Sequence, residues 1–375
     1  MITRRTFLQT LCLSSLALKA QALEMARDAS GRREALWYQR VDDGRGTVRC
    51  QLCPRRCTIP EGATGFCRAR QNVAGRLCSL GYNLPCSLNV DPVEKKPFFN
   101  FYPGTRSFSL ACAGCNLRCK FCQNWEISQI SPLQAANRYT PTSQLPSLAR
   151  GQGCRSIAFT YTEPTTYYEY MTDSARAARK AGLLAVYHSN GFINPEPLDH
   201  LCKHLDGANI DLKGFSEEFY ATVCEARLAP VLESLKRLKR GGVWLEITNL
   251  VIPGYNDTPR MIGDMCGWIR QNLGAETPLH FPRFFPLYKM TAIQPTPVKT
   301  LEGAREIAMG AGLKYVYIGN VPGHPGNSTY CPRCRKQVIR RSGFSVLSVE
   351  LKGDRCRFCN ERIDGAGLIT GGTRI

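Results

Sequence analysis

Acidic residues are scarce in this chain: 30 Asp and Glu stand against 49 Lys and Arg in 375 residues, a formal charge of +19. The surplus does not gather into a tight basic patch with interleaved aromatics. It is scattered, as in Lys236, Arg237, Lys239 and Arg240 on one predicted helix, which favours a solvated basic face over nucleic-acid binding. Beyond the N-terminus no stretch approaches eighteen uninterrupted apolar residues, so no membrane span is expected. Internal repeats and low-complexity tracts are missing. With 43% hydrophobic residues, the composition excludes a disordered chain, a collagen-like repeat and a disulfide-only miniprotein.

What is abundant is cysteine, with nineteen residues. A chain this long needs no disulfides to be stable, so tight cysteine clusters read as metal ligands. Three such clusters occur. Cys50, Cys53, Cys57 and Cys67 fall within eighteen residues and suit either zinc or an iron–sulfur cluster, with a disulfide pair as the plain alternative. Cys115, Cys119 and Cys122 form a CxxxCxxC loop. Cys331, Cys334, Cys356 and Cys359 form two CxxC knuckles with a predicted hairpin between them, the pattern of a zinc ribbon.

The central loop is the most specific of the three. Three thiolates can each hold one iron of a cubane, leaving the fourth iron open to a chelating substrate. Cys112 complicates this reading, because with it the spacing becomes CxxCxxxCxxC, enough for a fully ligated electron carrier.

Around the loop the sequence alternates apolar strands with helical stretches. Strands are predicted at Ser107–Ala111, Ser156–Tyr161, Leu183–His188, Ala208–Leu212, Trp244–Val251, Leu279–Phe281 and Tyr315–Ile318. Helices are predicted at Thr166–Ala181, Pro197–His204, Pro230–Arg240, Arg260–Leu273 and Thr300–Ala311. Repeated βα units imply an α/β fold with a parallel sheet, a closed or partial (β/α) TIM-type barrel. Its active site is then expected at the C-terminal strand ends, where Glu163, Ser189, Asn190, Asp211, Lys213 and His280 fall.

The expected order is a signal segment at 1–22, a helix and linker at 23–44, a Cys-rich region at 45–105, the barrel at 106–325 and a zinc-ribbon-like module at 326–375. The signal rests on Arg4-Arg5, the weakly apolar stretch Phe7–Leu18 and the small-residue site Ala20-Gln21-Ala22, which resemble a twin-arginine export signal. That implies a periplasmic protein. A cytoplasmic one is the alternative.

The run Gly114-Cys115-Asn116-Leu117-Arg118-Cys119-Lys120-Phe121-Cys122-Gln123-Asn124-Trp125 resembles the cluster loop of the radical S-adenosylmethionine (SAM) superfamily. More narrowly, it resembles the pyruvate formate-lyase activating enzyme-like branch and the radical enzyme of the AmmeMemoRadiSam system. The likeness runs from about 45 to 370. It includes Asp91-Pro92-Val93-Glu94-Lys95-Lys96-Pro97, Thr160-Tyr161-Thr162-Glu163-Pro164-Thr165, His188-Ser189-Asn190-Gly191-Phe192, Asp211-Leu212-Lys213 and Pro253-Gly254-Tyr255-Asn256-Asp257.

The resemblance implies a 4Fe-4S cluster on Cys115, Cys119 and Cys122, with SAM on the open iron. Its amino group would meet Glu163, Ser189 and Asn190 would lie close to it, and Asp211 and Lys213 would contact its ribose and carboxylate. His280 would lie near the adenosine. Tyr161-Thr162 replaces the Gly-Gly that precedes the glutamate in the superfamily. The implied reaction is reductive cleavage of SAM followed by hydrogen abstraction, with glycyl-radical activation among the outcomes. The implied partners are a flavodoxin- or ferredoxin-type electron donor and a protein substrate or AmmeMemoRadiSam companion proteins.

Overall fold

The computed structural model describes residues 32–368. The export-signal reading at 1–22 lies outside them. Among the described residues no helix is long and apolar enough to cross a membrane.

The centre of the molecule is one eight-stranded sheet: β1 (Ser87–Pro92), β2 (Arg106–Ala111), β3 (Ser156–Phe159), β4 (Leu184–Ser189), β5 (Gly207–Asp211), β6 (Trp244–Thr248), β7 (Leu279–Pro282) and β8 (Val316–Gly319). The strands lie in sequential order. β1 pairs antiparallel with β2, and every later pair is parallel. β1 and β8 do not meet, so the sheet is open rather than a closed barrel. The result is an open α/β sheet, parallel except at its first pair, in place of a closed barrel.

The strands alternate strictly, and the alternation explains the layering. Phe108, Leu110, Ile157, Phe159, Ala185, Tyr187, Ile210, Ile247 and Phe281 join the large core under the helices. Residues between them carry Ser107, Ser156, Asn209, Glu246 and His280 to the other face, all buried. The chain segment after β1 covers that polar face. Its Val93, Phe98 and Phe101 pack on Ala158 and Val186. Glu246 accepts from the Phe99 and Asn100 N–H groups at 3.0 and 2.9 Å, and Asn209 Nδ2 donates to the Pro97 carbonyl at 2.8 Å.

The crossover helices are α1 (Trp125–Ser128), α2 (Leu145–Gly151), α3 (Tyr168–Lys180), α4 (Pro195–Cys202), α5 (Glu217–Cys224), α6 (Ala229–Arg240), α7 (Pro259–Leu273) and α8 (Val298–Gly310). The sequence pattern anticipates five of them. It misses α1, α2 and α5. α5 does carry a start signal, because the Ser216 hydroxyl accepts from the Phe219 N–H.

Three other expectations are corrected. The helix expected at 23–44 is replaced, from residue 32 on, by strands at Arg33–Glu34 and Tyr38–Arg40. They are pinned there by the Ala35 N–H on the Leu77 carbonyl and the Leu36 N–H on Glu169. The strand expected to reach Tyr161 ends at Phe159, because Tyr161 turns to φ +65°. The sheet also starts upstream of residue 106, with β1.

The C-terminal module is a three-stranded antiparallel sheet (Thr329–Tyr330, Gln337–Ser342, Ser345–Val349) followed by the hairpin Leu351–Lys352 and Arg355–Cys356. It closes over the segment that covers the polar face. Arg341, buried, donates from Nη2 to the Phe99 carbonyl at 2.6 Å and pairs with buried Glu94.

Candidate functional site

Cys115, Cys119 and Cys122 lie on the loop that leaves the C-terminal end of β2. Gly114, at φ +106°, lets this loop pass the N-terminal region, since a Cβ there would stand 2.7 Å from the Cys67 carbonyl oxygen. The Leu117 N–H points to the Cys115 sulfur at 3.4 Å, and Ser128 Oγ stands 3.2 Å from the Cys122 sulfur. Burial pushes the Cys115 thiol well up. A hydrogen bond to the Cys224 thiol, together with burial, does the same to Cys119.

Cys112 does not join this group. Its thiol, fully buried, contacts the Gly81 carbonyl at 3.2 Å, with Cys86 as the neighbouring thiol. The thiol that does approach the loop is Cys224, at the end of α5. No spacing signal marks it in the sequence. The chain brings it there by main-chain bonds from the Arg118 and Lys120 N–H groups to the Cys224 and Val223 carbonyls.

Glu163, 2% exposed, is a hub beside the loop. Its Oε1 accepts from Ser189 Oγ at 2.7 Å and from the Thr165 N–H at 3.0 Å. Its Oε2 accepts from the Asn190 N–H at 2.9 Å, and this oxygen keeps acceptor capacity to spare. Asn190 Nδ2 donates to Asn116 Oδ1 at 2.8 Å, tying the turn after β4 to the cysteine loop. Thus β3, β4 and the loop meet at one carboxylate.

Asp211, at the end of β5, sits between Lys213 Nζ at 2.9 Å and His188 Nε2 at 3.2 Å. Burial opposes its ionisation, but Lys213 and His188 hold its carboxyl well below the usual range. Lys213 Nζ also stands 5.6 Å from the centre of the Phe121 ring, so this pair faces the cysteine loop. His188 is a site neighbour that sequence reading leaves without a role. Asn256 staples its own turn, accepting from the Ile252 N–H and donating to the Lys213 carbonyl.

Tyr161, which the resemblance sets where a glycine would stand, has a φ of +65°, the conformation glycine favours. Its hydroxyl donates to Asp91, its ring lies 3.9 Å from Lys96 Nζ, and its carbonyl accepts from Asn124 Nδ2 at 2.7 Å. These contacts offset the cost of the unfavourable backbone.

His280 requires a correction. It does not face the Glu163 and Asp211 cluster. Its Nε2 is 2.7 Å from Glu246 Oε2, and its ring is enclosed by Phe99 and Tyr317 at 4.8 and 5.0 Å. With 3% exposure the ring is committed to the interior under the C-terminal module.

The flanking cysteine sets differ. The sulfurs of Cys331, Cys334, Cys356 and Cys359 all lie within 4.8 Å of one another, and two of the pairs are 3.5 and 3.7 Å apart. Such a set fits a zinc-ribbon-like module. Cys50, Cys53, Cys57 and Cys67 line one cavity together with Arg55, Arg70 and Asn116.

The family model described as the radical SAM superfamily matches residues 110–265. The protein MJ0808 of Methanocaldococcus jannaschii, described as uncharacterized, is 48% identical over 334 residues, 88% of this chain and 99% of its own. A domain of a pyruvate-formate lyase-activating enzyme from Bacteroides vulgatus aligns at 17% identity over 44% of this chain and 99% of its own, with a TM-score of 0.39. SuiB of Streptococcus suis, bound to S-adenosylmethionine, aligns at 13% over 61% of this chain and 53% of its own, with a TM-score of 0.45.

Proposed function

Because this chain belongs to the radical SAM superfamily, we propose that Cys115, Cys119 and Cys122 hold a 4Fe-4S cluster that binds and reductively cleaves SAM. When bound, the cluster would supply one electron to the sulfonium, giving methionine and a 5′-deoxyadenosyl radical able to take a hydrogen atom from the substrate. The observation that carries this reading is the thiol arrangement: three cysteines on one strand-end loop, Cys112 turned to Gly81, and a buried carboxylate alongside.

The protein's own groups then have defined tasks. Glu163 Oε2 accepts the amino group of SAM, while Ser189, Thr165 and Asn190 fix the carboxylate so that it needs no reorganisation. Asp211 accepts from the ribose, and Lys213 neutralises the carboxylate of SAM in a partly buried site. His188 keeps Asp211 ionised and oriented. The donor would be a flavodoxin- or ferredoxin-type protein. Placement on the pyruvate formate-lyase activating enzyme-like branch, as the AmmeMemoRadiSam enzyme acting on a protein or small molecule, is supported by the order of the motifs from Asp91 to Asp257.

One observation favours a second reading. Cys224 stands against Cys119, and as a fourth ligand it would close the shell and make the centre an electron carrier. Anaerobic reconstitution, reduction with dithionite and addition of SAM separate the two. The proposal expects SAM to alter the cluster's electron paramagnetic resonance (EPR) signal and 5′-deoxyadenosine to form, both retained in Cys224→Ala. A fully reduced cluster indifferent to SAM in the native chain overturns it.

A further inference from the structure

The two four-cysteine sets that flank the central loop are built to different gauges. Around one zinc ion with Zn–S near 2.3 Å, tetrahedral sulfurs stand about 3.8 Å apart. The C-terminal set meets that spacing. Among the described residues the N-terminal four are not drawn together in this way. They stand around a cavity walled by Leu52 and Ile59. A cubane places each thiolate on a separate iron and so holds its ligands further apart than a single ion does.

A second observation points into the same cavity. Arg70 lines it and is 1% exposed. Nη2 bonds Glu169 at 2.7 and 2.9 Å, whereas Nε and Nη1, both buried, have no hydrogen-bond partner. Leaving such donors unsatisfied costs about 1–3 kcal/mol each, more for a charged group. The neighbouring groups are thiols, which are weak acceptors when protonated. Thiolates and inorganic sulfides are anionic acceptors and would satisfy both N–H groups.

We propose that Cys50, Cys53, Cys57 and Cys67 hold a second, fully thiolate-ligated 4Fe-4S cluster, with Arg70 donating its two free N–H groups to the cluster's sulfurs. With four protein ligands no iron is open to SAM, so the cluster serves electron transfer. It takes one electron from the flavodoxin- or ferredoxin-type donor and returns to its oxidised state on giving that electron up. The receiving loop is adjacent. Asn116, next to Cys115, lines the same cavity, Arg55 Nε donates to the Asn116 carbonyl at 2.6 Å, and Gly114 lies against the Cys67 carbonyl.

The test is the full-length variant Cys115→Ala, Cys119→Ala, Cys122→Ala, loaded anaerobically with iron and sulfide. It is expected to retain about four irons and four sulfides per chain, with a reducible EPR signal that SAM leaves unchanged. Uptake of zinc in place of iron and sulfide, or of no metal beyond that of the C-terminal set, overturns the proposal. The reciprocal variant Cys53→Ser, Cys57→Ser should lose half the iron yet keep the SAM-sensitive signal. Failure of that signal in the native chain refutes the proposed activity without touching this inference. Arg70→Lys keeps a cation for Glu169 but withdraws the two donors. The second cluster should then still load and reduce at a more negative potential, and an unshifted potential removes Arg70 from the site.

Discussion

The C-terminal ribbon and the central cysteine loop are written in the same short cysteine spacings, yet they are opposite kinds of place. In the ribbon four thiols already face one another across 3.5 and 3.7 Å on two hairpins, so the protein alone sets a closed tetrahedron. Cys331 and Cys356 are buried in an apolar cluster that the module shares with Phe99, Tyr315 and Tyr317. In the central loop three thiols leave one strand end, and the polar groups around them hold one another rather than a fourth ligand of the motif. The first arrangement stabilises whatever ion completes it. The second, on the proposed reading, leaves coordination unfinished beside a preset carboxylate. Short cysteine spacing marks both places, and among the described residues it is the ribbon whose four sulfurs are drawn within 4.8 Å of one another.

The comparison breaks most visibly if the ribbon loses a ligand. Structural zinc supplies about 10–16 kcal/mol of folding free energy in small isolated modules. Cys356→Ser should therefore release the ion and melt the module in a separate, earlier thermal transition. The SAM-sensitive signal of the central loop should survive. Metal analysis with calorimetry checks this, and a native protein without a bound ion at that site would sink the contrast.

A smaller effect is expected where the ribbon is tied to the barrel. Glu94 and Arg341 are both fully buried, and burial pushes the Glu94 carboxyl up even with Arg341 beside it. Arg341→Met leaves that carboxylate unpaired and should cost about 3–5 kcal/mol in denaturant unfolding. The double variant Glu94→Leu, Arg341→Met should recover much of the loss, since two charges are removed together. If single and double variants lose equally, the packing of Arg341 against Phe99 carries the joint instead.

Much of this was legible in the residues. Seven parallel strands appear as apolar runs, and the strand-end positions of Glu163 and Asp211 follow from them. What could not be read depends on which way a side chain faces. Cys112 extends the motif perfectly on paper, yet it turns to Gly81 on the far side of the loop. Cys224 carries no spacing signal, because it arrives from a different helix. His280 falls at a strand end like the site residues, but its inward neighbour is Glu246, and the Phe99 segment fills the space beside it. That segment, Val93–Tyr102, shows in the sequence as a charged motif followed by aromatics, and only the sheet's polar face explains its place.

The site side of the comparison is sharpened by pH. Asp91 accepts from Lys96 at 2.7 Å, from Lys95 at 2.9 Å and from the Tyr161 hydroxyl. Burial works against its charge, but these donors hold its carboxyl well below the usual range. A depressed carboxylate stabilises the fold fully above its unfolded pKa, near 3.9, and loses that contribution as pH falls through the lower folded value. Asp91→Asn should thus cost about 1.5–3 kcal/mol at pH 7, the worth of charge-assisted hydrogen bonds, with the gap to the native chain narrowing below pH 4. The cost at neutral pH is limited because Lys96, whose ammonium burial already pushes down to about 8, can shed its proton once the partner is gone. The ribbon has no such exit, since Arg341 cannot deprotonate. Urea melts of both variants from pH 3 to pH 8 test this. A gap for Asp91→Asn that stays constant across the range would mean that Tyr161 is held at its positive φ by packing alone, not by the ionised carboxylate.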